Sequence, residues 1–218
     1  MTGALPRPEP TVKRAFGFVD GQNLFYAAKE CFGHSYPSYD VMALARALCA
    51  PRGWALAKVY FYTGIPAAAD DPFWHAFWSA KLAGMGRQGV ETFSRTLRYR
   101  TRRVKLPDGT IHAYRSGEEK GIDVRLALDV VRLAREGAYD VALLFSQDQD
   151  LSEVADEVRA IGRDQSRWIK IASAFPYTAM TRNRRGVNGT DWIQVDRATY
   201  DACRDPSDHR PTSRRGST

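Results

Sequence analysis

Short apolar runs alternate with amphipathic segments along most of this chain. The runs that predict buried strands cover residues 15–20, 54–62, 90–94, 139–144, 168–173 and 192–195. The segments that predict helices begin near residues 24, 40, 71, 122 and 152, and a last helical turn ends near residue 203. This alternation predicts a mainly parallel sheet with helices on both faces. We therefore predict one α/β domain over residues 15–203.

The longest predicted helix covers residues 122–136. Val124, Leu128 and Val131 are spaced to form one apolar stripe, which we expect to face the sheet. The helix that begins near residue 71 carries an aromatic stretch at residues 73–78. We expect these rings to pack mainly in the core, with a second aromatic face available to a homodimer interface.

A basic β-hairpin is predicted at about residues 95–115. The turn sequence Pro107-Asp108-Gly109-Thr110 separates two β-like runs, residues 102–106 and 111–114. The stretch from Arg87 to Lys105 holds seven basic residues and one acid, in a chain whose net charge is +7. Such a local excess indicates contact with a polyanion. The alternative is a solvated hairpin whose arginines keep an edge strand from aggregating.

Basic residues in and beyond this hairpin are predicted to contact nucleic acid. Arginines contact phosphates, and interleaved aromatic rings stack on unpaired bases. Alternate residues of a strand share a face, so Arg98, Arg100 and Arg102 are expected on one side of the hairpin. The full predicted set is Arg95, Arg98, Arg100, Arg102, Arg103, Lys105, Lys120, Arg184 and Arg185. For Lys120, an ordinary surface position is the alternative.

Composition argues against membrane and secreted classes. No apolar run approaches the roughly 20 residues that a membrane-spanning helix needs, and the first residues lack a signal-peptide core. Three scattered cysteines without CxxC spacing predict reduced thiols in a cytoplasmic protein. Residues 1–14 and 204–218 are polar and are predicted to be disordered tails.

Four aspartates fall where the predicted fold brings the ends of its elements together. Asp20 ends the first strand, and Asp148 and Asp150 follow the fourth. Asp123 lies in the first turn of the long helix. Open parallel sheets bind ligands at this carboxyl edge. Each aspartate alone is equally typical of a helix N-terminus, so the combination carries the functional prediction.

Carboxylates brought together repel, and one or two divalent cations would keep such a cluster ionised. Oxygen ligands without histidine or cysteine favour Mg²⁺ or Mn²⁺ over zinc. A site of this kind suits phosphodiester hydrolysis, because the metal activates water and polarises the phosphate.

Three ordered motifs add a family resemblance: FVDGQNL at residues 18–24, KGIDVRLALD at 120–129 and SQDQD at 146–150. Together they resemble the NYN domain family, a branch of the PIN-like nucleases. The resemblance implies a PIN-like three-layer α/β/α sandwich and a ribonuclease that depends on Mg²⁺ or Mn²⁺. The metal ligands that it implies are Asp20, Asp123, Asp148 and Asp150. It also implies that Asn23 assists the first acid and that Ser146 supplies a hydroxyl at the strand end.

Gln147 and Leu151 depart from this pattern, since the family usually has glycine before the first aspartate of the last motif and an aromatic residue after the second. Gln147 must therefore fit where a small residue is usual. We expect it to narrow substrate access or to reshape the loop. The carboxylates themselves are intact.

The leading hypothesis is a metal-dependent ribonuclease that cleaves single-stranded or loop RNA endonucleolytically. The alternative is a catalytically weak RNA-binding module of a larger RNA-processing or defence assembly. A phosphatase for a small phosphate ester is a third hypothesis, but a small ester does not need an extended basic surface. The sequence leaves both RNA and single-stranded DNA open as the polymer.

Overall fold

A six-stranded sheet forms the centre of the computed structural model, which describes residues 8–211. The strands of the chain are β1 (Lys13–Asp20), β2 (Trp54–Ile65), β3 (Glu91–Thr96), β4 (Arg98–Lys105), β5 (Ile111–Glu118), β6 (Val141–Phe145), β7 (Lys170–Pro176) and β8 (Asp191–Val195). The helices are α1 (Gly21–Phe32), α2 (Val41–Cys49), α3 (Pro72–Arg87), α4 (Ile122–Arg135), α5 (Ser152–Asp164) and α6 (Arg197–Ala202). Single turns of 3-10 helix cover Ala50–Arg52 and Gln149–Leu151.

The central sheet is parallel and has the order β3-β2-β1-β6-β7-β8. From β1 the chain moves outward to β2 and β3 on one side, and β6, β7 and β8 fill the other side. The direction of winding therefore changes between β1 and β6. In open parallel sheets this change creates a crevice at the carboxyl ends of the strands, where ligands bind.

Helices cover both faces of the sheet. α1, α2, α3 and α6 contribute to one hydrophobic core, and α4 and α5 contribute to the other. Alternate side chains of β1 point to opposite faces of the sheet. Ala15 and Val19 therefore face the first core, while Phe16 and Phe18 face the second. The predicted three-layer α/β/α sandwich is thus confirmed. No helix among residues 8–211 combines the length and the apolar character needed to cross a membrane.

The basic hairpin is a separate two-stranded antiparallel sheet formed by β4 and β5. Its turn contains Gly109, whose φ of 85° suits glycine. The hairpin extends from Arg98 to Glu118, further along the chain than predicted. Arg95, which the prediction assigned to the hairpin, lies on β3 of the central sheet.

The buried face of α4 differs from the predicted one. Val124 and Leu128 are 56% and 62% exposed, whereas Ile122, Leu126 and Val130 are buried. Both sets are apolar and both recur at helical spacing. Hydrophobic periodicity therefore identifies the helix but does not select which of its two apolar stripes faces the sheet.

Both predicted tails include residues that the structure places in the folded domain. Lys13 already belongs to β1. After α6 the chain packs against α3, where Asp205 Oδ2 accepts a hydrogen bond from Lys81 Nζ at 3.0 Å. Lys81 is 1% exposed, and a cation so deeply buried requires a counter-charge. The outer parts of the predicted tails, residues 1–7 and 212–218, lie outside the described residues.

Candidate active site

Asp20 is both the last residue of β1 and the N-cap of α1. Its Oδ1 accepts a hydrogen bond from the backbone N–H of Asn23 at 3.0 Å, which is the usual capping contact. Its Oδ2 lies 3.5 Å from Ser146 Oγ, at the end of β6. The helix cap therefore uses one carboxylate oxygen and leaves the other at the carboxyl edge of the sheet.

Ser146 connects Asp20 to Asp148. β1 and β6 pair in parallel and end side by side. Ser146 Oγ contacts Asp20 and also accepts a hydrogen bond from the backbone N–H of Asp148 at 3.1 Å. Asp148 in turn uses Oδ1 to accept from the backbone N–H of Asp150 at 3.0 Å. Asp20 and Asp148 thus each use one oxygen for a cap and retain a second oxygen for other ligands.

Asn23 holds the loop after β6 in place. Its Oδ1 accepts a hydrogen bond from the backbone N–H of Gln147 at 3.0 Å. Because its backbone N–H also donates to the capping carboxylate of Asp20, Asn23 links both halves of the site. The structure therefore brings Asp20, Asn23, Ser146 and Asp148 together, as the sequence motifs predict.

Within residues 8–211, the carboxylates at this edge form no ion pair. Burial raises the pKa of Asp20 to about 6, with smaller contributions from the charges of Asp148 and Asp123. Burial likewise raises the pKa of Glu119 to about 7, with contributions from Asp20 and Asp123. The named charges that raise the pKa of these two groups are all carboxylates, and neither group forms an ion pair within residues 8–211. The edge is consequently a site of accumulated negative charge.

Glu119 is a functional candidate that sequence reasoning missed. Its carboxylate accepts a hydrogen bond from the backbone N–H of Gly64, near the end of β2. A Cβ at Gly64 would lie 2.6 Å from Glu119 Cγ, so the close approach requires glycine. Glu119 lines the same groove as Asp20. The available signal was its place immediately before the KGID segment that carries Asp123.

The remaining predicted ligands lie at the margin of the site. Asp123 is exposed in the first turn of α4, near enough to influence the pKa of Asp20. Asp150 is exposed, and its backbone N–H contacts Asp148. Within residues 8–211, no three histidine, cysteine, aspartate or glutamate side chains are close enough to hold a metal ion together.

The donor set nevertheless fits a hard divalent cation. All of its donors are oxygens, which Mg²⁺ and Mn²⁺ prefer. Mg²⁺ is usually held by one or two carboxylates, while waters and substrate phosphates complete its shell. The second oxygens of Asp20 and Asp148 meet that requirement, and Glu119 and Asp123 add negative charge beside them.

Gln147 joins the site to the loop at residues 183–188. It is 7% exposed, and its Nε2 donates hydrogen bonds to the carbonyls of Asn183 at 3.2 Å and Arg185 at 2.9 Å. Gln149 contacts the same loop through both ends of its side-chain amide. A groove of about 370 Å³ remains open in front of Asp20, with Gln147 as one of its walls. Of the two effects expected of Gln147, the loop contact is the one observed.

Three of the predicted nucleic-acid contacts share one face of the hairpin. Arg98, Arg100 and Arg102 alternate along β4, and Tyr114 lies opposite Arg102 on β5. Glu118 lies 2.8 Å from Arg102 Nη2 and 3.5 Å from Arg100 Nε. Part of the positive charge of this face is therefore paired within the hairpin.

Other basic residues are spread around the site. Arg103 and Lys105 lie on the opposite face of β4, since they occupy the intervening positions. Arg95 Nη1 donates to the carbonyl of Lys120 at 3.3 Å, which places both residues beside the start of α4. No ion pair involves Arg103 or Lys105 within residues 8–211.

The two arginines of the 183–188 loop have local partners. Arg184 Nε donates to the carbonyl of Thr181 at 3.0 Å, and its Nη2 donates to the carbonyl of Ala179. Arg185 packs over the ring of Trp192, with 6.0 Å between the guanidinium carbon and the ring centroid. Arg184 thus stabilises its own loop, while Arg185 is exposed on an aromatic surface.

A central six-stranded parallel sheet with helices on both faces is the three-layer architecture of the PIN-like proteins. The model of the NYN domain matches residues 16–179 of the chain. This protein belongs to the NYN domain family, whose fold is generally that of nucleases.

Among solved structures, the chain is similar to a protein of unknown function from Vibrio parahaemolyticus. The two are 16% identical with a TM-score of 0.50, and the match covers 87% of this chain and 97% of that one. A likeness at this identity supports the fold alone. The similarity to a ribokinase from Giardia lamblia is weaker, with 11% identity, a TM-score of 0.35 and coverage of 64% of this chain and 41% of that one. No curated protein matches the sequence.

Proposed function

We propose that this protein is a Mg²⁺- or Mn²⁺-dependent ribonuclease that cleaves internal phosphodiester bonds of single-stranded or loop RNA. The observation that carries the proposal is the unneutralised carboxylate cluster where β1 and β6 end. Asp20 and Glu119 line one groove, neither forms an ion pair within residues 8–211, and neighbouring carboxylates help to raise the pKa of each. Perturbed groups of this kind at a ligand-binding edge are typical of functional sites.

Asp20 and Asp148 would hold the cation with the oxygens that their helix caps do not use. When bound, a divalent cation lowers the pKa of water and offsets the charge of the scissile phosphate. Ser146 sets the position of both aspartates through its contacts to the side chain of one and the backbone of the other. Asn23 fixes the loop that carries Asp148.

The basic hairpin supports RNA as the substrate. Arg98, Arg100 and Arg102 share one face, and Tyr114 lies beside them. Arginines bind the phosphates of a polymer, and an aromatic ring stacks on a base that is not paired. A small phosphate ester bound at the carboxylates would not contact this extended basic surface.

The test compares wild type with Asp148→Asn on end-labelled RNA, both single-stranded and hairpin, and on matching DNA. Wild type is expected to cleave single-stranded or loop RNA with Mg²⁺ or Mn²⁺ and to stop in EDTA. Asp148→Asn should cleave at least about 100-fold more slowly, because a cation ligand contributes several kcal/mol to transition-state stabilisation. Its melting temperature and RNA affinity should stay close to those of wild type.

Asp156→Asn is the matched control, since Asp156 is an exposed aspartate of α5 that pairs with Arg159. It should cleave like wild type. Equal cleavage by Asp148→Asn and wild type in the presence of metal would contradict the assignment.

A catalytically weak RNA-binding module is the second candidate. It is favoured by the margin positions of Asp123 and Asp150 and by the lack of three converging ligands within residues 8–211. RNA binding without any EDTA-sensitive cleavage would establish this alternative in place of the nuclease.

A further inference from the structure

A second groove, rich in aromatic rings, adjoins the carboxylate groove. It has a volume of about 290 Å³ and is lined mainly by Phe25, Tyr26, Trp74, Trp78, Leu97 and Tyr99. Gln22 and Tyr26 line both grooves, so the two open beside each other along α1. The aromatic stretch of α3, which the sequence assigned mainly to the core, therefore also contributes to an accessible surface.

The rings of this groove are held by packing from several elements. Phe25 lies against Tyr26 and Trp74, with ring centroids 5.3 Å and 6.4 Å apart. Trp78 is buried beneath them, 6.0 Å from the ring of Phe61 on β2. The walls contributed by α1 and α3 are consequently formed before any ligand arrives.

The hairpin contributes the remaining wall. Tyr99 is at the base of β4, and the guanidinium of Arg115 lies 5.1 Å from the centre of its ring. Arg115 also binds Asp70, with 2.9 Å between Nη1 and Oδ1, just before α3. This contact fixes the base of the hairpin against the body, so the aromatic groove lies between the basic hairpin and the carboxylates.

Polar groups occupy selected positions around the rings. The amide of Gln22 can donate and accept hydrogen bonds. The carboxylate of Asp71 uses Oδ1 to cap α3 and retains Oδ2. Lys29 places an ammonium group at the same groove. Flat aromatic walls, a few hydrogen-bonding groups and a nearby cation match a nucleotide: a ring that stacks, polar base edges and a phosphate.

We propose that this groove binds one unpaired nucleobase of an RNA strand whose neighbouring phosphate lies at the carboxylate groove. The inference rests on the proposed function and deepens it, because it gives the site a structural requirement for single-stranded RNA. A base in a duplex is stacked between its neighbours and cannot enter. The volume of about 290 Å³, just below the usual range of small-molecule pockets, suits one base.

Tyr26 provides the sharpest test, since it is 59% exposed and its loss leaves the core unchanged. The experiment measures fluorescence anisotropy in EDTA with two labelled strands of equal length: oligouridylate and an abasic ribose-phosphate strand. Wild type should bind oligouridylate more tightly than the abasic strand. Tyr26→Ala should lose about 5- to 100-fold in affinity for oligouridylate, the range for removal of one stacking partner, and little for the abasic strand.

Two variants serve as controls. Tyr26→Phe keeps the ring and should bind like wild type. Phe73→Ala removes an exposed ring of α3 that packs on Tyr36 and Trp74 but does not itself line the groove, so it should weaken oligouridylate binding far less than Tyr26→Ala does. All variants should show the melting temperature of wild type.

The proposal is overturned if wild type binds both strands equally, or if Tyr26→Ala binds oligouridylate as tightly as wild type does. It is also overturned if sedimentation shows a wild-type dimer that Tyr26→Ala dissociates, since a second copy would then fill the groove. Binding in EDTA does not depend on cleavage. Base discrimination without Mg²⁺-dependent cleavage would therefore refute the nuclease and retain the base site, and cleavage without discrimination would do the reverse.

Discussion

Two of the regions in which this protein shields charge from solvent differ in whether that charge is paired. At the C-terminal segment, Lys81 Nζ donates to Asp205 Oδ2 at 3.0 Å and to the carbonyl of Tyr39 at 2.8 Å. His209 adds a further contact to Asp205 at 2.8 Å. At the carboxyl edge of the sheet, by contrast, Asp20 forms no ion pair within residues 8–211, and the charges of Asp148 and Asp123 raise its pKa.

The difference separates a structural cluster from a functional one. Burial lowers the pKa of Lys81, and the charge of Asp205 opposes that effect. The pair fastens the segment after α6 to α3. Asp20 forms no ion pair within residues 8–211, and its repulsion with the neighbouring carboxylates is relieved by a proton or by a cation supplied from outside. Removing the charge of Asp20 should therefore stabilise the fold, whereas removing the charge of Asp205 should destabilise it.

Asp20→Asn and Asp205→Asn should change different properties of the protein, the first its activity and the second its stability. Asp20→Asn should reduce cleavage by at least about 100-fold, because it removes a cation ligand. It should not lower the free energy of unfolding in EDTA, since asparagine caps a helix as well as aspartate does and a repelling charge is removed. Asp205→Asn should lower that free energy by about 3 kcal/mol, because it leaves a buried lysine without its counter-charge.

Urea unfolding and RNA cleavage measured on both variants check this pair. Asp205→Asn should retain wild-type cleavage at temperatures where it stays folded. If Asp20→Asn were destabilised as much as Asp205→Asn, the carboxylate edge would be a structural cluster and the comparison would fail.

The free energy of unfolding should depend on pH and on Mg²⁺. The folded-state pKa values of Asp20 and Glu119 are raised to about 6 and about 7. The contribution of these two carboxyl groups to the free energy of unfolding is therefore fully present below the ordinary carboxyl pKa of about 4. It is lost as pH rises through 6 and 7. In EDTA the free energy of unfolding should fall over this window. Raising a carboxyl pKa from 3.8 to about 6 corresponds to at most about 3 kcal/mol.

Added Mg²⁺ should reverse this loss at pH 7.5 and have little effect at pH 5, because the cation binds ionised carboxylates and competes with protons. Thermal unfolding with and without Mg²⁺ at the two pH values measures the effect. The melting temperature of the double variant Asp20→Asn/Glu119→Gln should change little with pH or with added Mg²⁺. A stabilisation by Mg²⁺ of the same size at both pH values and in the double variant would place the cation elsewhere.

The fold and half of the site could be predicted from the sequence because they depend on local pattern. Alternating apolar runs define the strands, and Asp20, Ser146 and Asp148 follow directly from strand ends. Their meeting is a consequence of β1 and β6 being neighbours in a parallel sheet. The motifs that end these two strands can therefore be recognised in the sequence.

What the sequence did not reveal depends on contacts between distant segments. Glu119 reaches the site because Gly64, 55 residues away along the chain, has no side chain in its path. The C-terminal segment folds back because Lys81 is buried and needs Asp205. Neither Gly64 nor Lys81 is unusual in its own sequence neighbourhood, so local pattern gives no signal for either contact.

Paired and unpaired charges also lie side by side on the hairpin. Glu118 already forms ion pairs with Arg100 and Arg102, and both arginine side chains remain more than half exposed. Glu118→Gln should release them and strengthen binding to single-stranded RNA by a few-fold at low salt. Arg98→Gln should weaken binding by a similar factor and reduce the slope of log affinity against log salt by about 1, the value for one lost phosphate contact.

Salt titrations of RNA affinity in EDTA measure both hairpin effects without cleavage. Glu91→Gln is a suitable control, since it removes an exposed acid that pairs with Lys58 on the central sheet, and it should change neither affinity nor slope. If Glu118→Gln and Glu91→Gln strengthened binding equally, net charge alone would account for the gain. The pairing within the hairpin would then have no specific part in holding RNA.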